Sequence, residues 1–301
     1  MTQEKLGFIG PGIMGLPMTL NLLKAGHRVF VYGRRAERTK LLADAGAVVC
    51  DSPAAVAAQA DIIFTCVSDT PDVEAVIFGD KGIIEGAKPG SVVVDTSTIS
   101  PVATRNFAQR LAEKGVEMLD APISGGEGGA IAGTLSIMCG GKPDVFARVK
   151  PYFEAMGKNI VHVGDNGAGQ VTKACNQIVV AVTIEAVSEA LLLAEKSGVD
   201  GAKVRAALMG GFAGSKIMEI HGQRILSGDF TPGFKTALHR KDMGIVLETA
   251  KSLGLSLPGA ALATDHLDAV MAAGDQDLDS SAIYKVLQQK NTGKPAKTGT
   301  G

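Results

Sequence analysis

Short apolar runs alternate with longer amphipathic stretches through the first half of the chain. LGFIG, HRVFVY, DIIFTCV, SVVVDTS, VEMLDAP, TLSIMCGG and NIVHVG fall between residues 6 and 164. They are dominated by Val, Ile, Leu and Phe, and each has the length of a strand. Between the early ones lie segments with apolar residues at helical spacing, such as IMGLPMTLNLLKAG and SPVATRNFAQRLAEKG. Strands alternating with helices predict βαβ units and a mainly parallel, doubly wound sheet. The last runs follow short connections, so part of one sheet edge is expected to be antiparallel.

After Gly169 the strand pattern stops. A helix is predicted from about 169 to 197, roughly 40 Å long. Further helical patterns follow in DGAKVRAALMG, GSKIMEIHGQRIL, FKTALHRKDMGIVLETAKSLG, PGAALATDHLDAVMAAG and SAIYKVLQQ. The fold class is therefore an α/β Rossmann-type domain over residues 1–164, then an all-α domain over 165–290, joined by the long interdomain helix. The tail 291–301 has no apolar anchor and is expected to be disordered. No internal repeat is present.

From Ile178 to Ala194 thirteen of seventeen side chains are apolar, and they occupy every side of the helix. Such a helix is expected to be buried on all faces. Lys173 stands at its head, on the same side as Val180, Ile184 and Leu191. A buried ammonium is costly unless it is paired or put to chemical use.

Composition narrows the classes of function. Of 301 residues, 46% are hydrophobic and 20% charged, and 30 basic residues balance 31 acidic ones for a net charge of −1. That balance gives no electrostatic footprint for nucleic acid or an anionic membrane. Aromatics make up 4% and Trp is absent, which argues against stacking platforms for single strands. Cys50, Cys66, Cys139 and Cys175 have no CxxC spacing and read as small buried hydrophobes in a reducing compartment. The first strand pattern begins within a few residues of the start, so no signal peptide is expected. No apolar run reaches the ~20 residues of a membrane span. A cytoplasmic protein without membrane contact is expected. The histidines His27, His162, His221, His239 and His266 form no ligand set, so no metal is expected, and Asp277 and Asp279 read as parts of a solvated loop.

GFIGPGIMG follows the first strand and opens a helix inside a βαβ unit. In that context GxGxxG is a dinucleotide-binding signature. Gly10 allows the tight turn, Gly12 lets the backbone approach a pyrophosphate, and Gly15 permits close helix packing. With Pro11, Ile13 and Met14 they form the expected phosphate-binding turn, where the helix N-terminus offers N–H groups and partial positive charge. The second strand ends in Gly33, Arg34 and Arg35, where an NAD-binding chain usually has an acid for the ribose hydroxyls. Arginine suits a 2′-phosphate through bidentate, charge-assisted bonds. NADP is expected in preference to NAD. Ser124-Gly125-Gly126 follows the strand in MLDAP, at the end of the sheet where such folds bind ligands. Successive N–H groups and a hydroxyl there suit a carboxylate; from Glu127 on, GGEGGA reads as a flexible surface loop.

The glycine loop, VDTST, DAPISGG and GQVTKACNQ together resemble the β-hydroxyacid dehydrogenase family, over residues 5 to about 290. The resemblance implies NAD(P)H-dependent reduction of a small carboxylate-bearing aldehyde. ALMGGFAGSKIMEIHGQRI and FTPGFKTALHRKDM look closest to members acting on tartronate semialdehyde. 3-Hydroxyisobutyrate, glyoxylate and succinic semialdehyde are the family's alternatives, and a non-catalytic NADP-binding scaffold is the alternative of another class. By the same resemblance Lys173 is the catalytic lysine, with Asn176 holding it or the substrate. Ser124, Gly125 and Gly126 cradle the substrate carboxylate, and Phe234 closes over the site. Val67, Thr96 and Lys241 lie toward the cofactor, and Asp242 toward the substrate. The arginines at GRR, where some relatives are acidic, bear on cofactor preference and leave the reaction class unchanged. The many apolar helices of the second domain lead to the expectation of a homodimer or homotetramer.

Overall fold

The computed structural model describes residues 4–292. The expected disordered tail lies, from residue 293 onward, outside the described residues. The chain divides into two compact units, Met1–Lys173 and Ala174–Gly301.

The first unit holds nine strands among the described residues: β1 (Leu6–Ile9), β2 (Val29–Tyr32), β3 (Val48–Val49), β4 (Ile62–Thr65), β5 (Val92–Asp95), β6 (Glu117–Asp120), β7 (Ile123–Ser124), β8 (Leu135–Gly140) and β9 (Gly157–Gly164). The helices between them are α1 (Gly15–Lys24), α2 (Ala36–Asp44), α3 (Pro53–Gln59), α4 (Thr70–Phe78), α5 (Ile83–Gly86), α6 (Pro101–Ala112), α7 (Gly126–Ala132) and α8 (Pro143–Phe153). The sheet order is β3-β2-β1-β4-β5-β6-β8-β7, with β9 paired to β8. The ladders from β3 through β6 are parallel. Strand β8 runs antiparallel to β6 and β7, as the short connections indicated.

Alternation along each strand divides its side chains between two cores. Leu6, Phe8, Val29, Val31, Ile62, Phe64, Val92 and Val94 pack with Met18 and Leu22 of α1 on one face. Ile9, Phe30, Ile63 and Val93 pack with Val56 of α3 and Ile77 of α4 on the other. Both faces are covered by helices, so the central strands are apolar on both sides, apart from polar residues at their ends such as Thr65, Asp95 and Asp120, and appear in the sequence as short apolar runs. Helix starts are marked locally. The Ser52, Asp69 and Ser100 side chains accept from the first turns of α3, α4 and α6, each with a proline at its start.

Strands β3 and β7, two residues each, are absent from the predicted pattern because two residues carry no periodicity. The glycine-rich stretch from Glu127, expected as a loop, is folded into α7.

The second unit is helical. Helix α9 (Ala168–Lys196) begins in the first unit and continues into the second, followed by α10 (Gly201–Met209), α11 (Lys216–Ser227), α12 (Thr236–Ser252), α13 (Pro258–Ala272) and α14 (Ile283–Asn291). One face of α9, with Ala181, Ile184, Val187 and Leu191, packs against residues of α11 to α14. The expectation of burial on all faces does not hold. Val179 and Leu193 are 65% and 70% exposed, because the other helices of the unit pack against only one side. Cys175 is also exposed, contrary to its reading as a buried hydrophobe. By length and composition alone α9 is apolar enough to cross a membrane; the sequence reading had found no such run.

Candidate active site

In the first unit the glycine loop follows β1. Gly10 has φ +91°, and a Cβ there would lie 2.3 Å from the Cys66 carbonyl oxygen, so only glycine fits where the turn crosses the end of β4. A Cβ at Gly15 would meet the Gly10 carbonyl at 2.3 Å and Phe8 at 2.9 Å. At Gly12 the only atom within 4 Å of an added Cβ is the Gly10 oxygen, at 4.0 Å. The backbone is open there, as the approach of a pyrophosphate requires. Pro11, Ile13 and Met14 complete the turn, with Ile13 46% exposed. Helix α1 has no acidic residue in its first turn, so nothing local neutralises its N-terminal positive end. These features fit a dinucleotide.

Gly33, Arg34 and Arg35 follow β2. Arg34 is well exposed, 4.0 Å from Asp72, and Arg35 occupies the N-cap of α2. A third arginine, Arg38, donates from Nη1 to the Gly12 carbonyl at 3.1 Å, tying α2 to the glycine loop. Arg38 lies outside the GRR segment, although Arg35 and Arg38 are one helical turn apart and so lie on one face.

At the ends of β4 and β5, Thr96 Oγ1 donates to the Thr65 carbonyl at 2.7 Å, and the Val67 N–H donates to Ser97 Oγ at 2.9 Å. Asp95 is fully buried. Its Oδ1 accepts from Thr65 Oγ1 at 2.8 Å and from the Ser97 N–H at 3.1 Å. Burial pushes its carboxyl up to about 6, against the opposing hydrogen bonds. Ser124 ends β7 half-buried, and the exposed Gly125 and Gly126 open α7. Their φ angles, +137° and +63°, suit consecutive glycines and turn the backbone sharply at the strand end.

Lys173 lies in the second turn of α9 with 7% of its surface exposed. In the second unit, Asn176 Nδ2 donates to Gln177 Oε1 at 2.7 Å, and Gln177 Nε2 donates to Asp242 Oδ2 at 2.7 Å. Lys241 Nζ lies 2.9 Å from Asp242 Oδ1. Residues named from separate motifs, Asn176, Lys241 and Asp242, thus join one hydrogen-bonded chain through Gln177. Gln177 carries no mark in the sequence that sets it apart from its neighbours. Phe234 packs its ring against His239, centroids 5.3 Å apart.

The loop carrying Phe234 is held by a residue read as solvated. Asp279 is fully buried. Its Oδ2 accepts from the N–H groups of Gly233 and Phe234 at 3.0 and 3.2 Å. Its Oδ1 accepts from the Ser281 N–H and Oγ at 3.1 and 2.6 Å, with His221 Nδ1 at 3.0 Å. Burial would raise its carboxyl, but the bonds from His221 and Ser281 outweigh that and hold it well below the usual carboxylate range. Asp277 is exposed, as expected. Among the described residues no group of three His, Cys, Asp or Glu side chains is placed to hold a metal ion.

Residues 5–164 match the family model described as the NAD binding domain of 6-phosphogluconate dehydrogenase. Residues 167–287 match that described as NAD-binding of NADP-dependent 3-hydroxyisobutyrate dehydrogenase. The chain is 51% identical over 284 residues to 2-hydroxy-3-oxopropionate reductase of Escherichia coli strain K12, covering 94% of this chain and 97% of the relative. Its fold is similar to that of Mycobacterium tuberculosis 3-hydroxyisobutyrate dehydrogenase with L-serine, with a TM-score of 0.87, 33% identity, and coverage of 95% of this chain and 100% of that one. Psf3 in complex with NADP+ and 2-OPP is similar with a TM-score of 0.85 and 26% identity, covering 94% of this chain and 99% of that one.

The family matches over both units and the relatives they bring make the chain an NAD(P)-dependent oxidoreductase acting on small hydroxyacids. Within that class, the chain belongs to the 3-hydroxyisobutyrate dehydrogenase-like family of β-hydroxyacid dehydrogenases.

Proposed function

We propose that the protein reduces tartronate semialdehyde (2-hydroxy-3-oxopropanoate) to D-glycerate, with NADPH preferred over NADH. The observation that carries the substrate is the 51% identity, along 94% of the chain, to a 2-hydroxy-3-oxopropionate reductase. Support for NADPH comes from Arg34, Arg35 and Arg38 beside the glycine loop, with no acid at the end of β2.

The roles follow from the chemistry of each group. Gly10 to Gly15 bind the pyrophosphate through the backbone and the start of α1, and the arginines bind the 2′-phosphate. Val67 and Thr96 serve the nicotinamide, and Lys241 contributes to cofactor binding. Bound NADPH supplies a hydride to the aldehyde carbon. Ser124 Oγ and the N–H groups of Gly125 and Gly126 hold the substrate carboxylate, which fixes the aldehyde end. The Lys173 ammonium donates a hydrogen bond to the aldehyde oxygen and then the proton as alkoxide charge develops. In the reverse direction the amine removes that proton. Asn176, one turn along α9, orients the lysine or the substrate. Asp242, held by Gln177 and Lys241, fixes the substrate's far side, and Phe234 shields the site from water. The active form is a cytoplasmic homodimer or homotetramer, with the exposed Val179 and Leu193 of α9 at the subunit interface.

The test is nicotinamide absorbance with tartronate, methylmalonate and succinic semialdehydes and glyoxylate, each with NADPH and NADH. The expected result is the highest kcat/KM for tartronate semialdehyde with NADPH. Preference for another aldehyde moves the substrate assignment. Tight NADPH binding without turnover of any of them favours a non-catalytic scaffold.

A further inference from the structure

Helix α9 carries Lys173 and has no acidic residue in its own first turn. A carboxylate does reach its N-terminus, but from another element. Asp120, the last residue of β6, is fully buried. Its Oδ1 accepts from the Gly167 N–H at 2.7 Å and its Oδ2 from the Gln170 N–H at 3.0 Å. Two N–H groups three residues apart at a helix start are the donors a local capping side chain would satisfy. Here the cap comes from a residue 47 positions before Gly167, and its negative charge also meets the positive end of the helix dipole. Two glycines leave room for it. A Cβ at Gly140 would lie 2.7 Å from Asp120 Oδ1, and one at Gly169 2.9 Å from Oδ2.

The same turn is held a second time. Gln170 is 1% exposed. Its Oε1 accepts from the Ile99 N–H at 3.1 Å, and its Nε2 donates to the Ser97 carbonyl at 2.8 Å. Ser97 Oγ in turn accepts from the Val67 N–H at 2.9 Å, and the Ser97 N–H binds Asp95. The first turn of α9 is therefore fixed to the segments after β5 and β6 through side chains that have no solvent to turn to. Lys173 lies three residues beyond Gln170, so both the axial position and the rotation of this turn set where its ammonium stands. Asp120, Gln170 and Lys173 all belong to the first unit.

We propose that Asp120 and Gln170 are positioning residues, which lock the first turn of α9 onto the ends of β5 and β6 and thereby set the place of Lys173. This rests on the reading of Lys173 as the proton donor. Neither residue touches substrate. Loosening the turn displaces the lysine and leaves the glycine loop and the arginines, and hence cofactor binding, intact.

The test compares Asp120→Ala, Asp120→Asn and Gln170→Ala with the native full-length protein. Asn keeps one carbonyl oxygen for one of the two N–H groups but presents an amide N–H to the other, so it restores only part of the cap. The expected result is a fall in kcat of about 30-fold for Asp120→Ala, since a displacement near 1 Å costs up to about 100-fold. Asp120→Asn should fall between Ala and native, and the NADPH dissociation constant should stay within about threefold in each variant. If Asp120→Ala does not fold, Gln170→Ala and Asp120→Asn carry the same comparison. A kcat within about twofold of native in the folded variants overturns the proposal. So does weakening of NADPH binding in step with the loss of kcat, which marks general disruption. An independent readout is the labelling rate of Lys173 by an amine-reactive reagent, followed by peptide mass spectrometry. It should rise in Asp120→Ala and Gln170→Ala, and an unchanged rate overturns the positioning role. If the native protein turns over none of the aldehydes, the function reading fails and the labelling alone judges the positioning.

Discussion

Replacing Asp279 isolates the contribution of one buried carboxylate to the loop that presents Phe234. Its two oxygens are met by the N–H groups of Gly233, Phe234 and Ser281, the Ser281 hydroxyl and His221. Hydrogen bonds to a charged group contribute about 1.5–3 kcal/mol each in favourable cases. They do not add, because His221 and the Gly233 N–H are only partly buried and recover water once the carboxylate is gone. Breaking a buried charged network by removing one member costs about 3–5 kcal/mol, and Asp279→Ala should fall in that range. Asp279→Asn keeps one acceptor oxygen and turns an amide N–H toward existing donors, and should lose about 2 kcal/mol.

The assay is urea unfolding followed by circular dichroism at pH 7, 5 and 3. The sign of the pH effect follows from the lowered carboxyl. A group depressed in the fold stabilises it fully above its unfolded value, about 3.9, and loses that contribution as pH falls toward the folded value. The native and Asp279→Ala curves should therefore differ most at pH 7 and 5 and draw closer at pH 3 without meeting. The loosened Phe234 segment should also raise the substrate KM. A difference under about 1 kcal/mol at pH 7, or a gap that widens on acidification, would show that the ionised Asp279 does not hold the loop.

Arg38→Ala should raise the KM for NADPH by about tenfold or more and change that for NADH far less, since a charge-assisted bond to a 2′-phosphate is worth about 1.5–3 kcal/mol; steady-state kinetics with both coenzymes checks this. Asp95 titrates in the opposite sense to Asp279. Its carboxyl is raised to about 6 by burial, and its Oδ2 has no hydrogen-bond partner among the described residues. Its stabilising contribution is present below the unfolded value of about 3.9 and is lost as pH rises through about 6. Asp95→Asn should therefore gain about 1–2 kcal/mol relative to the native protein between pH 5 and pH 8 in urea titrations, and no relative gain would contradict this. Val179→Glu combined with Leu193→Glu should lower the mass measured by sedimentation to that of a monomer of 30.9 kDa, whereas an unchanged oligomer would place the interface elsewhere.

The parallel sheet was legible because helices cover both of its faces and leave the middle of the central strands apolar on both sides. The starts of α3, α4 and α6 were written locally in Ser52-Pro53, Asp69-Thr70-Pro71 and Ser100-Pro101. What escaped the sequence depends on partners distant in the chain. The run DQDLDSS looks solvated because it is acidic, and nothing in it reveals that Asp279 meets Gly233 and Phe234, 46 and 45 residues earlier. Gln177 meets Asp242 across 65 residues, and Asp120 meets α9 across 47 to 50. The apolar periphery of α9 was visible in the sequence, but the number of its faces that this chain covers was not. The glycine loop could be read because its spacing is local, and at Gly15 so is the steric demand, made by Gly10 and Phe8.

The most direct measurement is NADPH oxidation with tartronate semialdehyde by the native protein and Lys173→Ala, alongside NADPH binding by fluorescence. The expected result is rapid turnover by the native protein, a loss of at least about 1000-fold in kcat on substitution, and NADPH binding within about threefold. Turnover by Lys173→Ala within about tenfold of native, with the cofactor still bound, would contradict the assignment of the proton donor.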